Sequence, residues 1–344
     1  MTKMTRRDFS ALASNMALAT FAASAGLAPK VAIAQEVKAV LGHFSSANPQ
    51  TYSKAINSMQ TAFGNKAKVE YVSVSAGPQI VAAMAGNSMD ICNIGSSPMI
   101  VAMANKVKLS MVYVQKIVTD SECLVIRTET GIGDLKGLAK KKIGLPFNTS
   151  VHFAMLSALK TVGITAKDVE LVNMPPPSLV AAWKRKDIDA AFIWYPFLGD
   201  LVDAGGKIIL TTGDLKKHGV LGFDGIIVRD EFKQKHPDLV LAYLKEYDRL
   251  CGMYKNQPQE VIKVIAPFVG LTPEKAKEYV DTFHTISPKE MATKDWMGLP
   301  GDADTGILKT LRDQAQFLKD ADQLKEIPPT FAPHVDQSFL KLMI

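Results

Sequence analysis

One stretch of this chain occurs twice. Pro78, Gln79, Ile80, Val81, Ala82, Ala83 and Met84 lead without a gap to Asp90, and Pro177, Ser178, Leu179, Val180, Ala181, Ala182 and Trp183 lead to Asp189, so the copies stand 99 residues apart. Each copy is followed by a β-rich run, 90–94 and 189–194, and then by a proline at an expected helix start, Ser97-Pro98 and Tyr195-Pro196. Solenoid repeats recur every ~20–50 residues, so a spacing near one hundred predicts two similar lobes instead.

The surrounding pattern is α/β. Short apolar, β-branched runs at 38–42, 69–74, 90–94, 109–115, 122–127, 142–145, 169–173 and 190–194 alternate with helical stretches. Asn48-Pro49 and Ser97-Pro98 each place a capping side chain before a proline, whose missing N–H costs nothing at the first helical position. Beyond residue 229 the pattern turns helical, at 230–256, 272–283 and 308–319. A chain of 344 residues with 47% hydrophobic composition can bury a large core without covalent staples.

The N-terminus reads as an address. Thr5-Arg6-Arg7-Asp8-Phe9 precedes a mildly apolar stretch from Ala11 to Ala28, and Ala32-Ile33-Ala34 supplies small residues for cleavage. Paired arginines point to the twin-arginine route. Ser14, Asn15, Ser24, Gly26 and Pro29 interrupt the apolar stretch, which makes residues 1–34 an export signal peptide rather than a membrane anchor. A periplasmic location follows as the expectation.

Charge and side-chain chemistry exclude several classes of function. The first 34 residues hold four bases and one acid, half of the formal net charge of +6, so the remainder is close to neutral. Lysines cluster only at Lys140, Lys141 and Lys142, without interleaved aromatics, and no nucleic-acid partner is expected. Cys92, Cys123 and Cys251 are odd in number, lack CxxC spacing and read as buried apolar residues. The six histidines show no HExxH or other metal spacing, and neither a GxSxG elbow nor a phosphate loop is present. The expectations are no metal, no cofactor and no enzyme activity.

Two loops carry candidate binding chemistry. Ligands of open α/β sheets bind beyond the carboxyl ends of the strands, where helix N-termini offer free N–H groups and a positive dipole end to anions. Gly95-Ser96-Ser97-Pro98 is such a loop, with a glycine for close approach and two hydroxyls. Asn148-Thr149-Ser150-Val151-His152 is a second hydroxyl-rich helix start. Simple helix capping by these hydroxyls is the alternative for both. One start in each lobe would clamp an oxyanion between them.

These loops, taken with Ser121-Glu122-Cys123-Leu124-Val125, Pro146-Phe147, Pro176-Pro177, Asp187-Ile188-Asp189 and Ile193-Trp194-Tyr195-Pro196, resemble the nitrate, sulfonate and taurine solute-binding proteins of ABC importers. The resemblance runs from about residue 38 to residue 319. It implies a two-lobed periplasmic-binding-protein-like fold of type II, its lobes joined by two crossover strands near 122–127 and 221–228. Lobe I would comprise residues 36–121 plus 226–344, and lobe II residues 122–225. It further implies a monomeric receptor that closes on a small organosulfonate and delivers it to an ABC permease. Carried over residue by residue, Ser96 and Ser97 match the first-lobe oxyanion loop, and Thr149, Ser150 and His152 match the second-lobe helix start. Trp194 matches an aromatic of the cleft, Glu122 and Asp224 match acids near the crossings, and Asp224 is the partner expected for a ligand ammonium. The match departs at His43-Phe44-Ser45, where Phe44 replaces a polar amide of the taurine receptors, which implies a larger or more apolar ligand tail. The rival readings are a binding protein for thiamine or pyrimidine precursors with the same fold and, further off, an exported enzyme.

Overall fold

The computed structural model describes residues 37–344, so the expected export segment, residues 1–34, lies outside the described residues. Ten strands occur among the described residues: β1 (Val37–Phe44), β2 (Ala67–Val74), β3 (Ile91–Gly95), β4 (Leu109–Val118), β5 (Glu122–Arg127), β6 (Lys142–Leu145), β7 (Glu170–Asn173), β8 (Ala190–Trp194), β9 (Gly206–Thr211) and β10 (Gly222–Arg229). They form two five-stranded sheets, ordered β2-β1-β3-β10-β4 and β7-β6-β8-β5-β9. In each sheet the first three strands run parallel and the last two pair antiparallel. The fold is α/β and two-lobed, with one lobe built on each sheet.

The echo in the sequence falls on matching elements. Its copies are the helices Gly77–Ala85 and Pro176–Arg185, which lead into β3 and β8, the central strands of the two sheets. In the first copy the structure corrects the helix start that follows. The helix Ser96–Ala104 begins with Gly95 as its N-cap, so Pro98 lies in the third helical position and Ser97 does not cap. After the second copy, Pro196 is itself the N-cap of the helix Phe197–Asp203. Asn48 behaves as its sequence predicts: its Oδ1 accepts from the Thr51 N–H at 2.9 Å, and Pro49 occupies the first turn.

The chain passes between the sheets twice, at 119–121 and 212–221. Residues 222–225, expected in the second lobe, pair with β4 and β3 in the first sheet, Gly222 opposite Val118 and Asp224 opposite Gly95. The cause is packing: Phe223 is fully buried in the first core, and Gly222 has no side chain to collide with Val118 and Thr212. Two further differences are local. His236-Pro237 splits the expected helix 230–256 into Asp230–Lys235 and Pro237–Asn256, because the proline ring pushes the preceding residue out of the helical region. The helix Pro258–Val269 and strand β9 lie where no element was expected.

Strand periodicity explains how the second sheet is covered on both faces. Along β5, Leu124 and Ile126 enter one cluster with Ile143, Leu145, Val151 and Phe192, while Cys123 and Val125 enter another with Leu179, Trp183, Ile188 and Leu201. The first core is larger because the C-terminal helices add Tyr243, Tyr247, Val261, Ile265 and Leu311 to it. Truncating a side chain buried as fully as Trp183 to alanine costs about 3–5 kcal/mol. The lobes also touch. Phe153, on the helix Ser150–Thr161, packs edge-to-face on Phe317 of the helix Gly306–Asp320, and Lys275 pairs with Asp203.

Candidate functional site

A cavity of about 390 Å³ opens between the sheets at the carboxyl ends of β3 and β6, a size common for small-molecule sites. Two helices begin at its wall. The Gly95 start of Ser96–Ala104 and the Thr149 start of Ser150–Thr161 both lack a side-chain cap, so the first N–H groups of each helix are left for an outside acceptor. The Thr149 hydroxyl is turned away and donates to the Pro146 carbonyl at 2.6 Å. A methyl group on Gly95 would lie only 3.4 Å from the Ser150 Cβ, which shows how closely the two starts approach. Two positive dipole ends therefore converge, one from each lobe.

Beside them lies a charged cluster that straddles the sheets. Lys116 of β4 has its Nζ 3.5 Å from Asp224 Oδ2 of β10 and donates to Ser121 Oγ at 3.4 Å. Glu122, the first residue of β5, accepts from the Ser150 hydroxyl at 2.6 Å through one oxygen, while its other oxygen is buried without a partner. Burial and the Asp224 carboxylate lift the Glu122 carboxyl to about 7, against the pull of Lys116 and the hydroxyls of Ser150 and Thr212. Burial also raises Asp224, opposed by Lys116. Lys116 itself is lowered by burial but held above its ordinary value overall by Asp224, Tyr279 and Glu122. The aromatic residues Phe44, Trp194, Tyr195, Phe197 and Tyr279 also line the cavity, as do Ser45, Ser73, Ser75 and Gln79.

Of the residues singled out in the sequence, Glu122, Thr149, Ser150, Trp194 and Asp224 line this cavity, as does Phe44. Asp224 is already paired with Lys116, so the carboxylate oxygen lacking a partner belongs to Glu122. The side chains of Ser96, Ser97 and His152 are buried outside the lining. Ser96 and Ser97 are the first two residues of the helix whose start at Gly95 has no side-chain cap. His152 stacks on Phe147 at 4.4 Å, accepts from the Asn148 N–H at 3.3 Å and is lowered to about 4 by burial, so it is a neutral brace for the second loop. Lys116 was missed by sequence reasoning. Its signal is a lysine inside the apolar run of β4, where a buried charge demands an opposite partner.

Among the described residues, no cysteine or histidine lines the cavity. All three cysteines are buried and free, and burial pushes the Cys123 thiol up to about 12. Among the described residues no group of three His, Cys, Asp or Glu side chains is placed to hold a metal ion.

Known proteins share both the sequence and the fold. The taurine-binding periplasmic protein of Escherichia coli K12 is 29% identical over 315 residues, covering 90% of this chain and 94% of that protein. The alkanesulfonate-binding protein SsuA of Xanthomonas axonopodis pv. citri, solved with MOPS bound, superposes with a TM-score of 0.75 at 19% identity, covering 88% of this chain and 99% of that one. The fold also extends to an enzyme, the desulfurization enzyme DszB, with a TM-score of 0.63 at 14% identity over 90% of this chain and 99% of that one. A family model described as NMT1-like matches residues 15–281, most of the sequence, and the chain belongs to the NMT1-like family.

Proposed function

We propose that this protein is the extracytoplasmic solute receptor of an ABC importer and that it binds a small organosulfonate between its two lobes for delivery to a membrane permease. The observation that carries the reading is the pair of uncapped helix starts, one per lobe, meeting at the cavity beside Lys116, Glu122 and Asp224. Main-chain N–H groups at helix starts satisfy the three oxygens of a sulfonate, and the carboxyl groups answer an ammonium at its other end. The relatives named for taurine and alkanesulfonate support the same class of ligand. Phe44 and Trp194 supply an apolar wall for a tail longer than that of taurine.

On this reading the protein acts as a monomer, catalyses no reaction and works in the periplasm. It reaches that compartment by the twin-arginine route with loss of residues 1–34, and it closes by moving residues 122–211 about the crossings at 119–121 and 212–221. Replacing Arg6 and Arg7 by lysine retains the precursor in the cytoplasm if the route is right. The ligand class is tested by calorimetry in phosphate buffer, because common zwitterionic buffers are themselves sulfonates. Taurine, longer amino-sulfonates, ethanesulfonate and a thiamine pyrimidine precursor form the panel. Binding of sulfonates, tighter for the longer tails, is the expected result. Binding of the pyrimidine alone would replace the reading by its rival.

A further inference from the structure

The charged cluster does not balance by itself. It contains one ammonium, Lys116, and two carboxyl groups, Asp224 and Glu122, all buried in the cavity wall. With every group ionised the cluster carries one net negative charge in a desolvated site, which is costly unless a cation or a proton joins it. Geometry says where that cation or proton goes. Among the described residues, Asp224 Oδ2 lies 3.5 Å from the Lys116 Nζ, whereas Glu122 has no ion-pair partner within 4.0 Å and keeps one buried oxygen without a hydrogen bond. Its other oxygen is engaged by a neutral hydroxyl, that of Ser150.

We propose that Glu122 is the charge selector of the cleft: it gives up a proton when a ligand brings an ammonium group and keeps or takes up that proton when the ligand has none. The inference rests on the sulfonate-receptor reading and deepens it by adding a residue that sets specificity. An amino-sulfonate is a zwitterion, so its ammonium takes the place of the proton and its sulfonate meets the helix starts. A plain alkanesulfonate brings only negative charge, so the cluster must hold its proton to accept it. The two ligand types consequently have opposite pH dependences in one site.

The groups that face Glu122 are few. Lys116 comes from β4, Asp224 from β10, Ser150 from the helix start after β6, Thr212 from the turn after β9, and Trp194 stands opposite on β8. Asp120, nearby in the chain, is half exposed and tied to His284, and buried His152 is neutral, so neither supplies the missing charge.

The test uses taurine and ethanesulfonate, which differ by one amino group. Glu122 lies near 7 in the free protein. Between pH 6 and pH 8, both below the titration of the ligand amine, the Kd of taurine should fall about tenfold and that of ethanesulfonate should rise about tenfold. Calorimetry at pH 7 in phosphate and in Tris, buffers of different ionisation heat, should show release of about half a proton with taurine and uptake of about half a proton with ethanesulfonate. Glu122→Gln keeps the shape and the bond from Ser150, and should abolish both slopes while favouring ethanesulfonate. Should that variant misfold, the wild-type proton counts decide, and Ser150→Ala should move the midpoint to higher pH by removing a donor to the carboxylate. No proton exchange with either ligand, or opposite slopes that persist in Glu122→Gln, overturns the proposal. Absence of binding heat for both sulfonates at every pH overturns the receptor reading together with it and is recognised by that absence.

Discussion

The two lobes share one strand order, and a helix follows each of the three parallel strands in both, yet corresponding helix starts differ between the lobes. In the first lobe the helix after β1 is closed by Asn48, whose side chain takes the Thr51 N–H, while the helix after β3 is open at Gly95. In the second lobe the start after β6, the counterpart of the Asn48 position, is open at Thr149. The start after β8, the counterpart of Gly95, is filled by Trp194, Tyr195, Pro196 and Phe197. Topology alone would give a symmetric cleft. Side chains at these positions make it asymmetric: the start after β1 is capped by Asn48 while its counterpart at Thr149 is not, and aromatic residues crowd the start after β8 where its counterpart has Gly95.

The charged cluster breaks the symmetry further, and disturbing it should produce the largest effect. Lys116 and Asp224 come from the first sheet and Glu122 from the second, so Lys116→Met leaves two buried carboxyl groups without their cation. Removing one partner of a buried pair costs about 3–5 kcal/mol. The loss should be full at pH 8 and smaller at pH 5, because carboxyl groups raised by burial take up protons as the pH falls. Urea unfolding of the variant at the two pH values measures both quantities. A loss that does not depend on pH would mean that lost packing outweighs charge.

A second change converts one lobe toward the other. Thr149→Asn should close the open start of the second lobe in the way that Asn48 closes the first, leaving stability within about 0.5 kcal/mol. Sulfonate affinity should fall about tenfold, equivalent to about 1.4 kcal/mol, since the new cap competes for the N–H groups that the ligand needs. Unchanged affinity would remove this helix start from the site. The smallest effect should come from the reverse operation, Asn48→Ala, which opens the closed start. It should cost about 1 kcal/mol of stability by urea unfolding and change affinity less than Thr149→Asn does.

How much of this was legible beforehand depends on whether a feature is local. The lobes were visible because Pro78 to Asp90 and Pro177 to Asp189 each encode a helix packed on a strand, and short-range patterns survive in sequence. Thr149 and Ser150 stood out because they sit at a helix start, whereas Glu122, Trp194 and Asp224 were singled out through the family resemblance; all five line the cavity. Lys116 was not found, because its partner Asp224 is over a hundred residues away and only the β10–β4 register brings them together. The start at Gly95 was placed too late for a related reason: Ser97-Pro98 satisfies the local rule for a cap, but the strand pairing of Gly95 with Asp224 fixes where the strand must end. β9 escaped notice as a half-exposed edge strand with no polar–apolar alternation.

The central claim is that a sulfonate sits between the two uncapped helix starts while the charged cluster takes the other end of the ligand. A crystal structure of the protein with taurine bound tests this directly. The account predicts sulfonate oxygens within hydrogen-bond distance of main-chain N–H groups at both the Gly95 and Thr149 starts, and the ammonium beside Glu122. A sulfonate held by Lys116, with the amine turned toward the helix starts or touching only one lobe, would contradict it.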